Sequence, residues 1–261
     1  MRLNALDSFI KEIVEEAGES IISKFGKVTS GEQKSARGDI VTVADKASEE
    51  ILISAIRKKY PYHGIVSEEA GELPGKSPYT WIIDPLDGTS NFAKQVPLFC
   101  VIVALAKGNS IQNAAIYDPI HQEFFYARKG VGSYLNGKPI SVSNEVELDA
   151  MTISISNVQM RSSLEQFAHW RSLTALYTTH YKAYGSAGIT LASVASGRSD
   201  AYIVGGAYPW DIAAGSLLIR EAGGKITDLA GNAWKWREKN QQILTANPKL
   251  HRKLVRLISH V

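Results

Sequence analysis

Apolar residues recur at helical spacing over the first 25 positions: Leu3, Leu6, Phe9, Ile10, Ile13, Val14, Ala17, Ile21 and Phe25. This period predicts a long amphipathic helix over residues 2–25, ended by Gly26. Residues 27–38 break the pattern with Gly31, Gly38 and several Lys and Arg, which predicts a loop. Ala47, Ile51, Leu52, Ala55 and Ile56 then form the buried stripe of a second helix. Thr42 is placed to cap it, with Asp45 at capping-box distance, and Pro61 stops it.

From residue 64 the pattern becomes that of strands. Gly64-Ile65-Val66 is a short strand leading into Ser67-Glu68-Glu69, and residues 70–78 read as a Gly- and Pro-rich loop. The run Thr80-Trp81-Ile82-Ile83 predicts a buried strand that stops on Asp84, because Pro85 has no backbone donor. Leu98–Leu105, Ile111–Tyr117 and Glu123–Arg128 follow, with turn signals at Gly108-Asn109, Asp118-Pro119, Lys129-Gly130 and Asn136-Gly137. Residues 80–142 are thus expected to form an antiparallel meander. After the polar run 143–149, helices and strands intermix and end in a basic amphipathic helix over Lys249–Val261, read as a docked terminal helix. Two parts are expected, 1–145 and 146–261.

Composition adds boundaries. The chain has 261 residues, 44% hydrophobic and 21% charged, an ordinary globular balance. Its single cysteine, Cys100, lies in an apolar run; it forms no internal disulfide, predicts an intracellular, cytoplasmic setting, and reads as buried filler. Acids punctuate residues 1–25, unlike a signal peptide, and no apolar run reaches the length of a membrane span. A net charge of +3 does not by itself argue for nucleic acid. The six histidines show no zinc spacing, and no Gly-x-Ser-x-Gly elbow, Walker loop or dinucleotide fingerprint occurs.

The candidate chemistry is in carboxylates at strand ends. Asp84 and Asp87 flank Pro85-Leu86 and are followed by Gly88-Thr89-Ser90. Two acids there repel each other and are costly to desolvate, and a hard divalent cation such as Mg²⁺ offsets both costs. Backbone amides after Gly88 suit an anion. Acids for metal beside amides for phosphate are the equipment of phosphoryl transfer; a polar turn with two solvated acids is the plainer alternative. Asp45 reads either as a first-turn helix charge or as a catalytic carboxylate, and Asp211 either as a helix N-cap or as a ligand held rigidly by Pro209 and Trp210.

Three signals stand in one order: Ser67-Glu68-Glu69, then Trp81-Ile82-Ile83-Asp84-Pro85-Leu86-Asp87-Gly88-Thr89-Ser90-Asn91-Phe92, then Trp210-Asp211-Ile212-Ala213-Ala214-Gly215 running to Glu221-Ala222-Gly223-Gly224. This resembles the inositol monophosphatase family of Mg²⁺-dependent, lithium-sensitive phosphatases, over nearly the whole chain, including Asp39–Asp45. The resemblance implies a layered α-β-α-β-α sandwich of the inositol monophosphatase and fructose-1,6-bisphosphatase type, two to three Mg²⁺ ions, a small phosphate ester as substrate, and commonly a homodimer. It implies metal ligands at Glu68, Asp84, the Leu86 carbonyl, Asp87 and Asp211, water activation by Thr89 with Asp45, and phosphate held by the amides of Gly88 and Thr89. Ser186 and Ala187 are candidates to line the sugar pocket; Lys182 and Tyr184 are candidates to reach a second phosphate, such as that of fructose 1,6-bisphosphate, with a solvated surface charge as the alternative for Lys182.

One departure stands out. Family members acting on inositol phosphate often carry a glutamate seven residues before the motif aspartate; here that position is Val204, which offers no hydrogen bond to a substrate hydroxyl. Fructose 1,6-bisphosphate, histidinol phosphate and 3′-phosphoadenosine 5′-phosphate are therefore alternative substrates. A regulatory protein that retains the metal site is the alternative from another class.

Overall fold

In the computed structural model, which describes residues 3–27, 32–33, 40–157, 164–238 and 241–259, helix α1 (Ala5–Ile22) starts where Asn4 caps it. The Asn4 side chain accepts from Asp7 N at 2.8 Å, and Asp7 Oδ2 accepts from Asn4 N at 3.0 Å. Strands β1 (Glu32–Gln33) and β2 (Ile40–Val41) pair antiparallel; most of the loop expected over 27–38, and Asp39, lie outside the described residues. Helix α2 (Val43–Lys59) carries the capping box expected at Thr42 and Asp45.

The large sheet follows: β3 (Gly64–Ser67), β4 (Gly71–Leu73), β5 (Tyr79–Asp87), then the short helix α3 (Thr89–Ala93), β6 (Cys100–Lys107), β7 (Ser110–Asp118), β8 (Glu123–Arg128), β9 (Gly132–Leu135) and β10 (Lys138–Pro139). Its order is β10-β9-β8-β7-β6-β5-β3-β4, antiparallel except for β3 beside β5. Part of the expected loop over 70–78 is therefore the edge strand β4. The second half adds β11 (Ile153–Asn157), α4 (Leu164–Ala175), β12 (Tyr181–Lys182), α5 (Ala187–Ala195), β13 (Ala201–Ala207), α6 (Pro209–Glu221), β14 (Lys225–Thr227), β15 (Gln241–Ala246) and α7 (Pro248–Ser259). Its five strands run β12-β11-β13-β15-β14.

Alternation along the strands assigns the layers. On β5, Trp81 and Ile83 face a core shared with α1 and α2, whereas Ile82 faces a core shared with α5 and α6. On β13, Tyr202 and Val204 join that same α5–α6 core, while Ala201 and Ile203 face α4 and α7. The result is helix pair, sheet, helix pair, sheet, helix pair, the expected five-layer sandwich. Because both sheets are covered on both sides, β6 is buried from Cys100 to Ala106 and reads as a continuous apolar run. Among the described residues no helix is long and apolar enough to cross a membrane.

Strand β5 does not stop at Asp84. It continues to Asp87, but its register against β6 slips: Asp84 lies opposite Ile102 and Asp87 opposite Cys100. Three steps on β5 thus match two on β6, a bulge that takes up Pro85, which has no N–H to pair. The bulge has a geometric consequence. Strict alternation would place Asp84 and Asp87 on opposite faces; the extra residue puts both on the face of Cys100 and Ile102, toward α5 and α6, and leaves Leu86 in the α1–α2 core.

Helix α1 is fastened to the sheet through a buried acid. Asp7, fully buried, accepts from Arg128 Nη1 at 2.7 Å, from Asn113 Nδ2 at 3.2 Å and from the Tyr126 hydroxyl. Asp7→Ala leaves these donors without their acceptor, and urea unfolding is expected to show a loss of about 3 kcal/mol. A loss under about 1 kcal/mol would mean that water replaces the carboxylate.

Candidate active site

Helix α2 builds one wall of the site from a single face. Asp45, Ser48 and Glu49 lie at i, i+3 and i+4 and so project together. Asp45 is buried; its Oδ2 accepts from Thr42 N at 2.8 Å and Thr42 Oγ1 at 2.6 Å, and its Oδ1 lies 3.1 Å from Thr89 Oγ1. Ser48 Oγ donates to the Pro85 carbonyl at 2.7 Å, at the bulge. Glu49 Oε1 accepts from Ser67 Oγ and from Ala70 N at 2.9 Å, holding the turn that carries Glu68 and Glu69. Glu68 N in turn donates to Ile83 O at 3.3 Å, which sets Glu68 beside the end of β5.

The bulge delivers the central acids. Asp84 is buried and its Oδ1 accepts from Leu86 N at 3.0 Å. Gly88 follows with φ of 89°, where a Cβ would stand 2.9 Å from the Leu98 carbonyl, so glycine is required for the turn into α3. Thr89 Oγ1 also lies 2.9 Å from the Leu86 carbonyl. A hydroxyl has one proton, so Thr89 donates to Asp45 or to Leu86, one at a time.

The second half contributes Asp211 and the start of α5. Asp211 is not the N-cap of α6; that is Tyr208, and Asp211 sits in the first turn, where its Oδ2 accepts from Tyr208 N at 2.7 Å. Pro209 at N1 starts the helix one turn earlier than the apolar pattern indicates. Ser186 and Ala187 meet Asp87 directly: Ser186 Oγ and Gly188 N (2.7 Å) donate to Oδ2, and Ala187 N donates to Oδ1 at 3.2 Å. Val204 is fully buried in the α5–α6 core. Lys182 is exposed on the edge strand β12. Tyr184 lines a separate cleft with Leu98, Asp118, His121 and Arg198.

Electrostatics give the cluster its character. Burial raises the Asp84 carboxyl well above the usual range, and Glu68, Asp87, Asp211 and Asp45, all acidic, raise it further. Asp211 is likewise raised well above that range, by burial first and then by Asp87 and Glu68, against the lowering contact from Tyr208. Burial raises Asp87 and Asp45 as well, opposed by their hydrogen bonds. As the side chains stand, no three His, Cys, Asp or Glu among the described residues enclose an ion. The donor set nonetheless fits a hard divalent cation: it is oxygen throughout, four carboxylates beside the Leu86 carbonyl, and its field is strongly negative.

The fold and these residues agree with known proteins. The model of the inositol monophosphatase family matches residues 3–261. The chain belongs to this family. It is 36% identical over 263 residues to an inositol monophosphatase of Dictyostelium discoideum, covering 97% of this chain and 96% of that one. It is 39% identical over 217 residues to the Nus factor SuhB of Escherichia coli, 81% of each chain. The crystal structure of the extragenic suppressor protein suhB from Bartonella henselae superposes with a TM-score of 0.92 at 29% identity, covering 98% of both chains.

Within this inositol monophosphatase fold, sequence reasoning missed Ser48, Glu49, Asn91 and the contacts of Cys100. Ser48 and Glu49 carried a usable signal, their helical spacing from Asp45. Asn91 Nδ2 donates to the carbonyls of Leu98 and Tyr184, both at 2.7 Å, and only tertiary folding brings those three segments together.

A buried carboxylate with a raised pKa keeps its proton where the unfolded chain, at the ordinary value of 3.8, has lost it. In that window the native state binds more protons, so stability falls as pH rises through the folded pKa. In chelator at about pH 8, Asp211→Asn is expected to melt higher than wild type by roughly 2–4 °C, corresponding to about 1 kcal/mol. The gain should shrink toward pH 5 in differential scanning calorimetry; a gain that does not vary with pH would assign the effect to something other than ionisation.

Proposed function

We propose that this chain is a Mg²⁺-dependent phosphomonoesterase acting on inositol monophosphate or a related sugar or polyol phosphate. The observation that carries this reading is the convergence of Glu68, Asp84, Asp87 and Asp211, whose charges act on one another, beside the Thr89–Asp45 pair. Those four carboxylates and the Leu86 carbonyl would hold two to three Mg²⁺ ions. When bound, Mg²⁺ acidifies water and stabilises the departing alkoxide. Thr89 orients the attacking water and takes its proton while passing its own to Asp45 Oδ1. The raised pKa of Asp45 suits that acceptor role near neutral pH. The amides of Gly88 and Thr89 hold the phosphate. In this reading residues 1–145 supply most ligands, and 146–261 supply Asp211 and the substrate-selecting segment. Lithium inhibition, a homodimer and a cytoplasmic setting follow from the family.

The test is phosphate release, with and without Mg²⁺, from inositol 1-phosphate, fructose 1,6-bisphosphate, histidinol phosphate, 3′-phosphoadenosine 5′-phosphate and 2′-AMP. Thr89→Ala is expected to lower kcat by about 10²–10⁴-fold. Near-wild-type turnover in that variant would remove Thr89 from the reaction, and release independent of Mg²⁺ would remove the metal.

Val204 bears on the choice among esters. Buried in the core between the sheets, it gives no polar contact to a substrate hydroxyl, so broad, modest rates on several esters are expected. Val204→Glu is expected to raise the preference for inositol 1-phosphate, measured as a ratio of kcat/KM values; an unchanged ratio would show that specificity lies elsewhere. The likeness to the Escherichia coli Nus factor SuhB supports a second reading in which the protein also acts through a partner. Partners retained by Asp87→Asn in a pull-down would support it.

A further inference from the structure

The two oxygens of Asp87 have different surroundings. Oδ2 receives Ser186 Oγ, Gly188 N at 2.7 Å and the Cys100 thiol at 3.4 Å, whereas Oδ1 receives one longer bond, from Ala187 N at 3.2 Å. Ser186 also caps α5, its Oγ accepting from Ile189 N at 3.1 Å. That acceptor role directs the hydroxyl proton outward, to Asp87. The first amides of α5, those of Ala187 and Gly188, point at this carboxylate as well. Close packing keeps it in place: a Cβ on Gly188 would stand 2.5 Å from Cys100 Sγ and 3.1 Å from Asp87 Oδ2.

We propose that Ser186, with the start of α5, is a positioning device for Asp87: it occupies Oδ2 and presents Oδ1 to Mg²⁺. Ser186 then acts through Asp87 rather than on the sugar, which replaces its sequence-based assignment to the substrate pocket. The device also links the halves of the chain, because Asp87 ends β5 of the large sheet and Ser186 precedes the helix that packs between the sheets. The proposal rests on the reading of Asp87 as a Mg²⁺ ligand.

The experiment is calorimetric titration of the intact protein with Mg²⁺, beside melting in chelator, for wild type, Ser186→Ala, Ser186→Val and Ser186→Thr. Thr and Val have the same shape and differ in the hydroxyl, so that pair decides the matter even where Ala folds poorly. A partner that orients a metal ligand typically changes affinity by about 10–100-fold. Ala and Val are expected to raise the Mg²⁺ dissociation constant at least about tenfold, and Thr to restore it. Wild-type Mg²⁺ affinity in folded Ser186→Val, with only its chelated Tm lowered, would reduce Ser186 to a helix cap and overturn the proposal. A wild-type protein that binds no Mg²⁺ would overturn the metal reading itself, a different result from equal binding by all four proteins.

Discussion

The structure depends on a repulsion. Asp84 lies buried at the end of a strand with Glu68, Asp87, Asp211 and Asp45 acting on it, and burial and like charge both oppose its ionisation. An acidic cluster of this kind persists in a folded core only if surrounding structure holds each carboxylate against the others. Much of the polar bonding near the site does so. Thr42 and Thr89 hold Asp45, Leu86 N holds Asp84, Ser186 and α5 hold Asp87, and Tyr208 N holds Asp211.

Two backbone devices convert this restraint into a site. The bulge at Pro85 turns Asp84 and Asp87 to the same face of the large sheet, toward the helices shared with the second sheet. Helix α2 then fixes the opposite wall, because one turn and a residue of helix carry Asp45 to Thr89, Ser48 to the bulge carbonyl and Glu49 to the turn bearing Glu68. A change in the pitch or seating of α2 would therefore move a candidate base, the bulge and a candidate ligand together. Rigid elements on both sides give the convergence that a metal and a phosphate require.

Asp87 is where the two halves meet chemically. The apolar core between the sheets draws on β5 and β6 from the first half and on α5, α6 and β13 from the second. Asp87 and the start of α5 add a polar seam at the edge of that core. Val204 lies fully buried in the same core and is part of its packing.

The order of strands and helices was largely legible in the chain, because period-2 and period-3.6 apolar patterns follow directly from which faces are buried. So was the capping box at Thr42, and Glu68, Asp84, Asp87, Thr89 and Asp211 stand out as candidates because each lies within a contiguous motif. Tertiary structure alone decided how they are arranged. Pro85 signalled a break in pairing, but whether a missing donor ends a strand or bulges it depends on whether a neighbour such as β6 continues alongside. Ser186 carried the signal of a polar residue near a helix start, yet its second partner lies 99 residues away. Local patterns record what each segment buries; which distant donor meets a given carboxylate is set by the packing of the two sheets against a shared pair of helices.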